Sequence, residues 1–203
     1  MQGLASTPMN GNGNVTMNMP AGIVAGEQLM CVFSDVSTLT TPVTSSAGWT
    51  RSFIQTGPNT YYHLAVFTKI AVGGDTLVID RGGNTALCAG HVFRVSGSKG
   101  FAISAGIQGN GGATVDPPLL TPPWGSKKTL WAALASLRST NANITSYSAG
   151  YSQGANSYWS GLQDPCVSVA FRQLKTASED PGLITYSASG ADFAAVTIGF
   201  NPG

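Results

Sequence analysis

"KTLWAALASLRS" (128–139) is the stretch on which the fold turns, because its composition permits two answers. Alanine and leucine favour a helix. A second copy of the pattern argues for a strand. "LWAAL" (130–134) matches "LMCVF" (29–33), which lies inside the β-rich run "QLMCVFSDV" (28–36). Four further matches keep the same order at a spacing of about a hundred residues, as a duplicated half would. "SSAGWTRS" (45–52) falls on "SYSAGYSQ" (146–153), placing Trp49 on Tyr151. "HLAVFTK" (63–69) falls on "VSVAFRQ" (167–173), which sets Phe67 on Phe171 and His63 on Val167. "GGDTLVIDRGG" (73–83) falls on "EDPGLITYSASG" (179–190), and "AGHVFRV" (89–95) on "AAVTIGF" (194–200). The ambiguous stretch is therefore read as a strand.

Working outward, short β-rich runs recur and no long stretch keeps helical period. "NVTMNM" (14–19) alternates Val15, Met17 and Met19 with polar residues, the signature of a half-buried strand. Further strands are predicted over 28–36, 60–72, 75–80, 86–96, 165–174, 182–189 and 192–200. Turn signals separate them: "VGGD" (72–75), "RGGN" (81–84) and "EDPG" (179–182). Many short strands with Gly/Pro turns imply an all-β chain, an antiparallel sandwich or barrel. The two halves run roughly over 13–100 and 126–203 of a single domain spanning 1–203. Between them, 106–125 is Gly-rich and then Pro-rich, and reads as a crossover or an arm on a neighbouring subunit. Leu119, Leu120 and Trp124 would be wet in a free linker, so docking is expected.

Charge is scarce. Only 9% of the 203 residues are Asp, Glu, Lys or Arg, against about 25% in an average domain. With 42% hydrophobic residues and a net charge of +1, the chain folds and presents a neutral polar surface. Such a surface suits packing against copies of itself or a partner, since few charges need desolvation. Scattered basic residues exclude the clustered footprint of a nucleic-acid binder. No apolar run is long enough to span a bilayer as a helix, and "MQGLASTPMN" lacks the features of a secretion signal. Cys31, Cys88 and Cys166 lie in apolar runs without C-x-x-C spacing, and read as buried free thiols of a reducing compartment.

The chemical candidates are few. His63 shares a strand face with Ala65 and Phe67, and His91 with Phe93 and Val95. Each falls on a valine in the other half, so both are expected to be packed or interface residues rather than bases or ligands. Asp75 and Asp180 occupy matching turns, where a short carboxylate bonds nearby backbone. No calcium loop, phosphate loop, G-x-S-x-G or H-E-x-x-H motif occurs. The expectation is no catalytic residue, no metal site and no cofactor. Aromatic residues in polar surroundings remain: Tyr61 and Tyr62 in "GPNTYYH" (57–63), and Tyr158 and Trp159 in "NSYWSGLQD" (156–164). Sugar stacking and protein hot spots use the same chemistry. Low charge favours subunit packing here, with Leu119, Leu120 and Trp124 in the same interface.

The order of these segments also resembles a known group. An alternating first strand is followed by "MPAGIVAGEQLMCVFSDV", "AGWTR", "LAVFTKIAVGGDTLVI" and "GHVFRVSG". "TLWAALASL", "AGYSQ", "VAFRQL" and a closing "AAVTIGFNPG" come after. Together they are similar to tailed-bacteriophage virion proteins of the head-decoration, head-fibre or tail type, over most of residues 13–202. Gly26-Glu27 stands where a Gly-Asp is typical. The resemblance implies a two-sheet antiparallel β-sandwich of jelly-roll type with no enzymatic activity. It implies a virion protein, assembled in the bacterial host cytoplasm, that decorates the head through the major capsid protein and copies of itself. The alternative is a carbohydrate-binding or receptor-adhesion module of a tail or fibre, with glycan as partner. Neither reading involves nucleic acid or a membrane.

Overall fold

The computed structural model describes residues 2–6, 14–36, 42–44, 46–59, 62–84, 87–139, 142–157 and 164–203. Among them there is no helix, and every strand pairing is antiparallel. In chain order, the first half carries β1 (Gln2–Ser6), β2 (Val15–Met17), β3 (Gln28–Val36), β4 (Val43–Thr44), β5 (Thr50–Thr56), β6 (Tyr62–Ile70), β7 (Leu77–Asp80) and β8 (Cys88–Val95). A short β9 (Phe101–Ile103) leads into the second half. That half carries β10 (Ile107–Asn110), β11 (Thr114–Val115), β12 (Lys127–Ser139), β13 (Ile144–Ser146), β14 (Ser152–Ser157), β15 (Asp164–Thr176), β16 (Ile184–Tyr186) and β17 (Asp192–Phe200).

The duplication seen in the sequence is complete in the topology. The first half forms a five-stranded sheet, β1-β8-β3-β6-β5, and a three-stranded sheet, β2-β7-β4. The second repeats both orders as β10-β17-β12-β15-β14 and β11-β16-β13, with β9 added beside β17. Each strand of the first half thus has its counterpart nine strands later. The described residues form four sheets where two were expected. The second repeat also begins at β10, inside the expected crossover: Gly- and Pro-rich sequence is tolerated there because β10 and β11 are edge strands.

Three cores fill the spaces between sheets. Met30, Val32, Leu64, Val66 and Phe93 of the first large sheet meet Leu134, Val167, Val169, Val196 and Ile198 of the second. Alternate residues of the same strands point the other way: Leu29, Cys31, Phe33, Ala65 and Phe67 pack under the first small sheet on Val15, Met17, Leu77 and Ile79. Ala133, Ala135, Leu137 and Ala195 pack likewise on Val115, Ile184 and Tyr186. The layers therefore run small, large, large, small. Across the middle, β8 and β3 lie on β15, β6 lies on β12 and β17, β1 meets β14 and β5 meets β10. Apart from β3, which lies mainly on β15, each strand of that sheet faces the counterpart of its mirror position about β3. That pattern is an approximate two-fold axis along the strands, the arrangement of an isologous dimer fused into one chain.

The halves solve one packing problem differently. β5 and β14 are both edge strands with a bulge, at Ser52 and at Gly154. In the first half the Ser52 and Thr68 hydroxyls bond at 2.5 Å. In the second, Phe171 takes the place of Thr68, and its ring lies 2.2 Å from where a Cβ on Gly154 would stand. The ring also packs edge-on against Phe93 across the middle core, centroids 5.3 Å apart. Gly154→Ser is expected to cost about 1–3 kcal/mol by overpacking. The loss should largely vanish in a Phe171→Thr background, measured as urea midpoints of the two singles and the double. Strictly additive losses would count against this account.

Candidate functional site: a lysine-rimmed cleft at one end

The pairing registers bring one set of loops from both halves to a single end. Gln28 at the start of β3 lies beside Ile70 and Val95, the last residues of β6 and β8. Lys127–Leu130 at the start of β12 lie beside Gln173–Thr176 of β15, and Leu130 beside Phe200. A cleft of about 330 Å³ joins the two groups, bounded by Val95, Ser98, Lys128, Leu130, Gln173 and Phe200 among others.

Paired corners support this end. The Trp49 amide donates to the Ser46 carbonyl at 3.4 Å, and the Tyr151 amide to that of Ser148 at 3.1 Å. Gly48 and Gly150 precede the two aromatics with φ of 77° and 84°, a left-handed backbone that glycine adopts without strain. Lys69 packs beneath Gly48, and Arg172 beneath Gly150. Trp49 is 6% exposed in the first outer core, and its indole N–H donates to the Thr76 carbonyl at 2.8 Å. Tyr151 is half-buried, donates its hydroxyl to Glu179 at 3.2 Å and lies under Arg172. Both residues hold loops in place.

Ion pairs tie down the acids here. Lys69 meets Asp75 at 2.8 Å, Arg94 meets Glu27 at 2.8 Å and Arg172 meets Glu179 at 3.2 Å. Asp75 also accepts the Val72 and Gly73 amides, the turn chemistry expected of it. In the second half Glu179, rather than Asp180, takes the matching role. Burial alone would raise the Asp75 pKa, but Lys69 and the two amides leave it lowered. For Glu27 the Val24 amide is the largest cause of a lowered pKa, with Arg94 adding to it. A depressed folded-state pKa contributes stability that is present above the unfolded value and lost as pH falls through the folded one. The thermal midpoint is expected to hold from neutral pH to about pH 5 and then drop through the carboxylate range. Asp75→Asn should be less stable at neutral pH and show a shallower acid drop; an unchanged pH profile would contradict the assignment.

Every lysine of the chain belongs to this end: Lys69, Lys99, Lys127, Lys128 and Lys175. Among the described residues, no carboxylate forms an ion pair with Lys99, Lys127, Lys128 or Lys175. The large hydrophobic side chains exposed among the described residues gather here too. Val24, Ile70 and Val72 come from the first half, and Leu119 and Leu183 from the second.

The expected interface residues divide. Tyr61, Tyr158 and Trp159 lie outside the described residues. Tyr62 is corrected: it is fully buried in the middle core, because its position on β6 turns the ring inward with Leu64 and Val66. Leu120 is buried, its backbone paired with Glu179 by two 2.9 Å hydrogen bonds. Trp124 is half-buried and donates to the Thr129 hydroxyl at 3.0 Å, while Leu119 is exposed.

At the opposite end lies a buried polar cluster that sequence reasoning missed. Asp35 holds His63 at 3.0 Å and Arg81 at 3.3 Å, all three buried. Cys88, also buried, is Asp35's neighbour on β8, as His63 is on β6. Burial pushes the Cys88 thiol up to about 11, so it stays protonated at neutral pH. Cys31 and Cys166 are likewise free and buried. His91 faces the middle core beside Phe93. No three His, Cys, Asp or Glu side chains gather as a metal site among the described residues. No helix among them is long and apolar enough to cross a membrane.

Comparison with protein-family models, curated proteins and solved structures returns no match.

Proposed function

We propose that the chain is a non-enzymatic virion structural protein of tailed-phage type, which decorates the head by attaching to the capsid lattice through its cleft end. The observation that carries this reading is segregation. Among the described residues, the exposed aliphatic side chains and the lysines without acid partners occupy one end, in a chain poor in charge. A protein that attaches end-on needs that distribution, since aliphatic patches rimmed by polar groups mark interaction sites.

In this reading each half is a jelly-roll-type sandwich. The interleaved orders β1-β8-β3-β6-β5 and β2-β7-β4, repeated as β10-β17-β12-β15-β14 and β11-β16-β13, support it. Eight strands in two sheets are the architecture of many capsid and lectin domains. The partners are the major capsid protein and further copies of the chain, met during assembly in the host cytoplasm. Small contacts repeated over a symmetric lattice supply avidity without any single strong site.

Purified particles from the phage that encodes the chain test the reading. Mass spectrometry and a cryo-EM map should find it on the head at a fixed copy number set by lattice symmetry, cleft end inward. Particles that lack the protein would overturn it. The carbohydrate-binding alternative predicts instead a tail position and a positive glycan array.

A further inference from the structure

We propose that the cleft receives an acidic peptide segment of a protein partner, its carboxylates held by Lys128 and Lys175 and its aliphatic side chains by the apolar lining. This rests on the attachment reading and names the partner chemistry of the same site.

The charge pattern is the first argument. Lys128 and Lys175 stand directly opposite each other in the β12–β15 ladder, a like-charge pairing that opposes folding rather than aiding it. Lys128 bounds the cleft, and both residues lie on the inner-facing register with Leu130 and Gln173. Lys127 adjoins them in sequence. Lys99 comes from the loop after β8, its amide bonded to the Asn201 carbonyl at 2.9 Å. Three of the nearby acids are spent: Glu27, Asp75 and Glu179 are paired with Arg94, Lys69 and Arg172. Asp116 and Asp180 instead neighbour each other, and that repulsion, after burial, raises the Asp116 pKa. The cleft thus concentrates positive charge between two low-dielectric sheets, which focuses field toward an incoming anion.

The lining decides the class of anion. Val95, Leu130 and Pro202 give the cleft apolar walls. The ring at the cleft, Phe200, is 2% exposed and forms its floor. A saccharide is gripped by stacking on an exposed ring; aliphatic walls suit Leu or Val side chains of a peptide. Ser98 and Gln173 supply polar groups for its backbone.

The test titrates the full chain at low salt with a short synthetic peptide of Asp, Glu and interspersed Leu. Its Asn/Gln counterpart and a polyuronate oligosaccharide serve as competing probes. The acidic peptide is expected to shift the amide NMR signals of Lys128, Gln173 and Ser98, and to lose most of its affinity at high salt. Lys128→Glu with Lys175→Glu should weaken it at least about tenfold. Lys128→Glu alone, which turns a like-charge pair into an attractive one, should leave the thermal midpoint level or raised. Equal binding of the neutral peptide, tighter binding of the polyuronate, or an affinity indifferent to the double reversal would overturn the proposal. The two readings fail separately. A doubly reversed chain that still decorates heads sinks the cleft assignment alone. A chain absent from particles, whose peptide binding still depends on both lysines, sinks only the virion reading.

Discussion

Asp35→Ala is expected to lower the thermal midpoint by roughly 10 °C or more, corresponding to about 3–5 kcal/mol. Asp35 is wholly buried between His63 and Arg81, with one carboxylate oxygen toward each. Arg81 is equally buried, and its guanidinium also reaches the Leu87 carbonyl. Removing the carboxylate leaves a buried cation without its counter-charge, which costs far more than the pair contributes in the first place. Asp35→Asn, which keeps an acceptor but not the charge, should fall between Ala and the parent. Replacing the three together by Leu, Phe and Met should come close to neutral, because a buried ion cluster rarely outperforms apolar packing of the same volume. An alanine variant as stable as the parent would show that the cluster carries no such strain.

Trp49→Ala ranks beside it, at about 3–5 kcal/mol. The indole fills the outer core of the first half against Phe67 and Leu77, and its N–H satisfies the Thr76 carbonyl. Truncation opens a cavity and orphans an acceptor at once. Its counterpart gives the contrast. Tyr151→Phe removes only the half-buried hydroxyl's bond to Glu179 and is expected to cost about 1 kcal/mol. Calorimetric midpoints of the two variants and the parent are the measurement. If Trp49→Ala matched the parent, or lost ligand binding while keeping its midpoint, the corner would have to be read as a binding residue after all.

The repeat in the sequence located the halves but set some strands one residue out. The corner matched correctly, Trp49 on Tyr151, because a glycine turn has a recognisable shape. His91 on Val196 is also right, since both pair with equivalent residues, Val32 and Leu134. In β3 and β6 the match slipped, and Val32 corresponds to Leu134 rather than Ala133. Thr50 pairs with Thr68 and its equivalent Ser152 with Phe171, so Thr68 rather than Phe67 corresponds to Phe171. His63 then falls on Cys166 instead of Val167, and faces an outer core rather than the middle one. A one-residue slip exchanges the two faces of a strand. Alternation normally exposes such an error. Here it is absent, because β3, β6, β12, β15 and β17 are covered on both faces. The same double burial is why "KTLWAALASLRS" could pass for a helix.

The polar sites were hidden for related reasons. The Asp35 cluster joins β3, β6 and the residue just after β7, and no spacing in one dimension marks it. The lysines looked scattered because they belong to four different places along 203 residues. They converge only once antiparallel pairing returns the start of β12 to the ends of β15 and β17.

Composition, turn signals and an ordered internal repeat were thus enough to establish an all-β chain of two like halves, poor in charge and rich in buried strands. They expected a single pair of sheets. Four sheets, the meeting of the two large ones face to face, the inward turn of Tyr62 and the gathering of lysines and aliphatic side chains at one end came from packing. Local pattern specifies which residues leave water. It does not specify which apolar face each will meet, and that choice rests on contacts between residues a hundred positions apart.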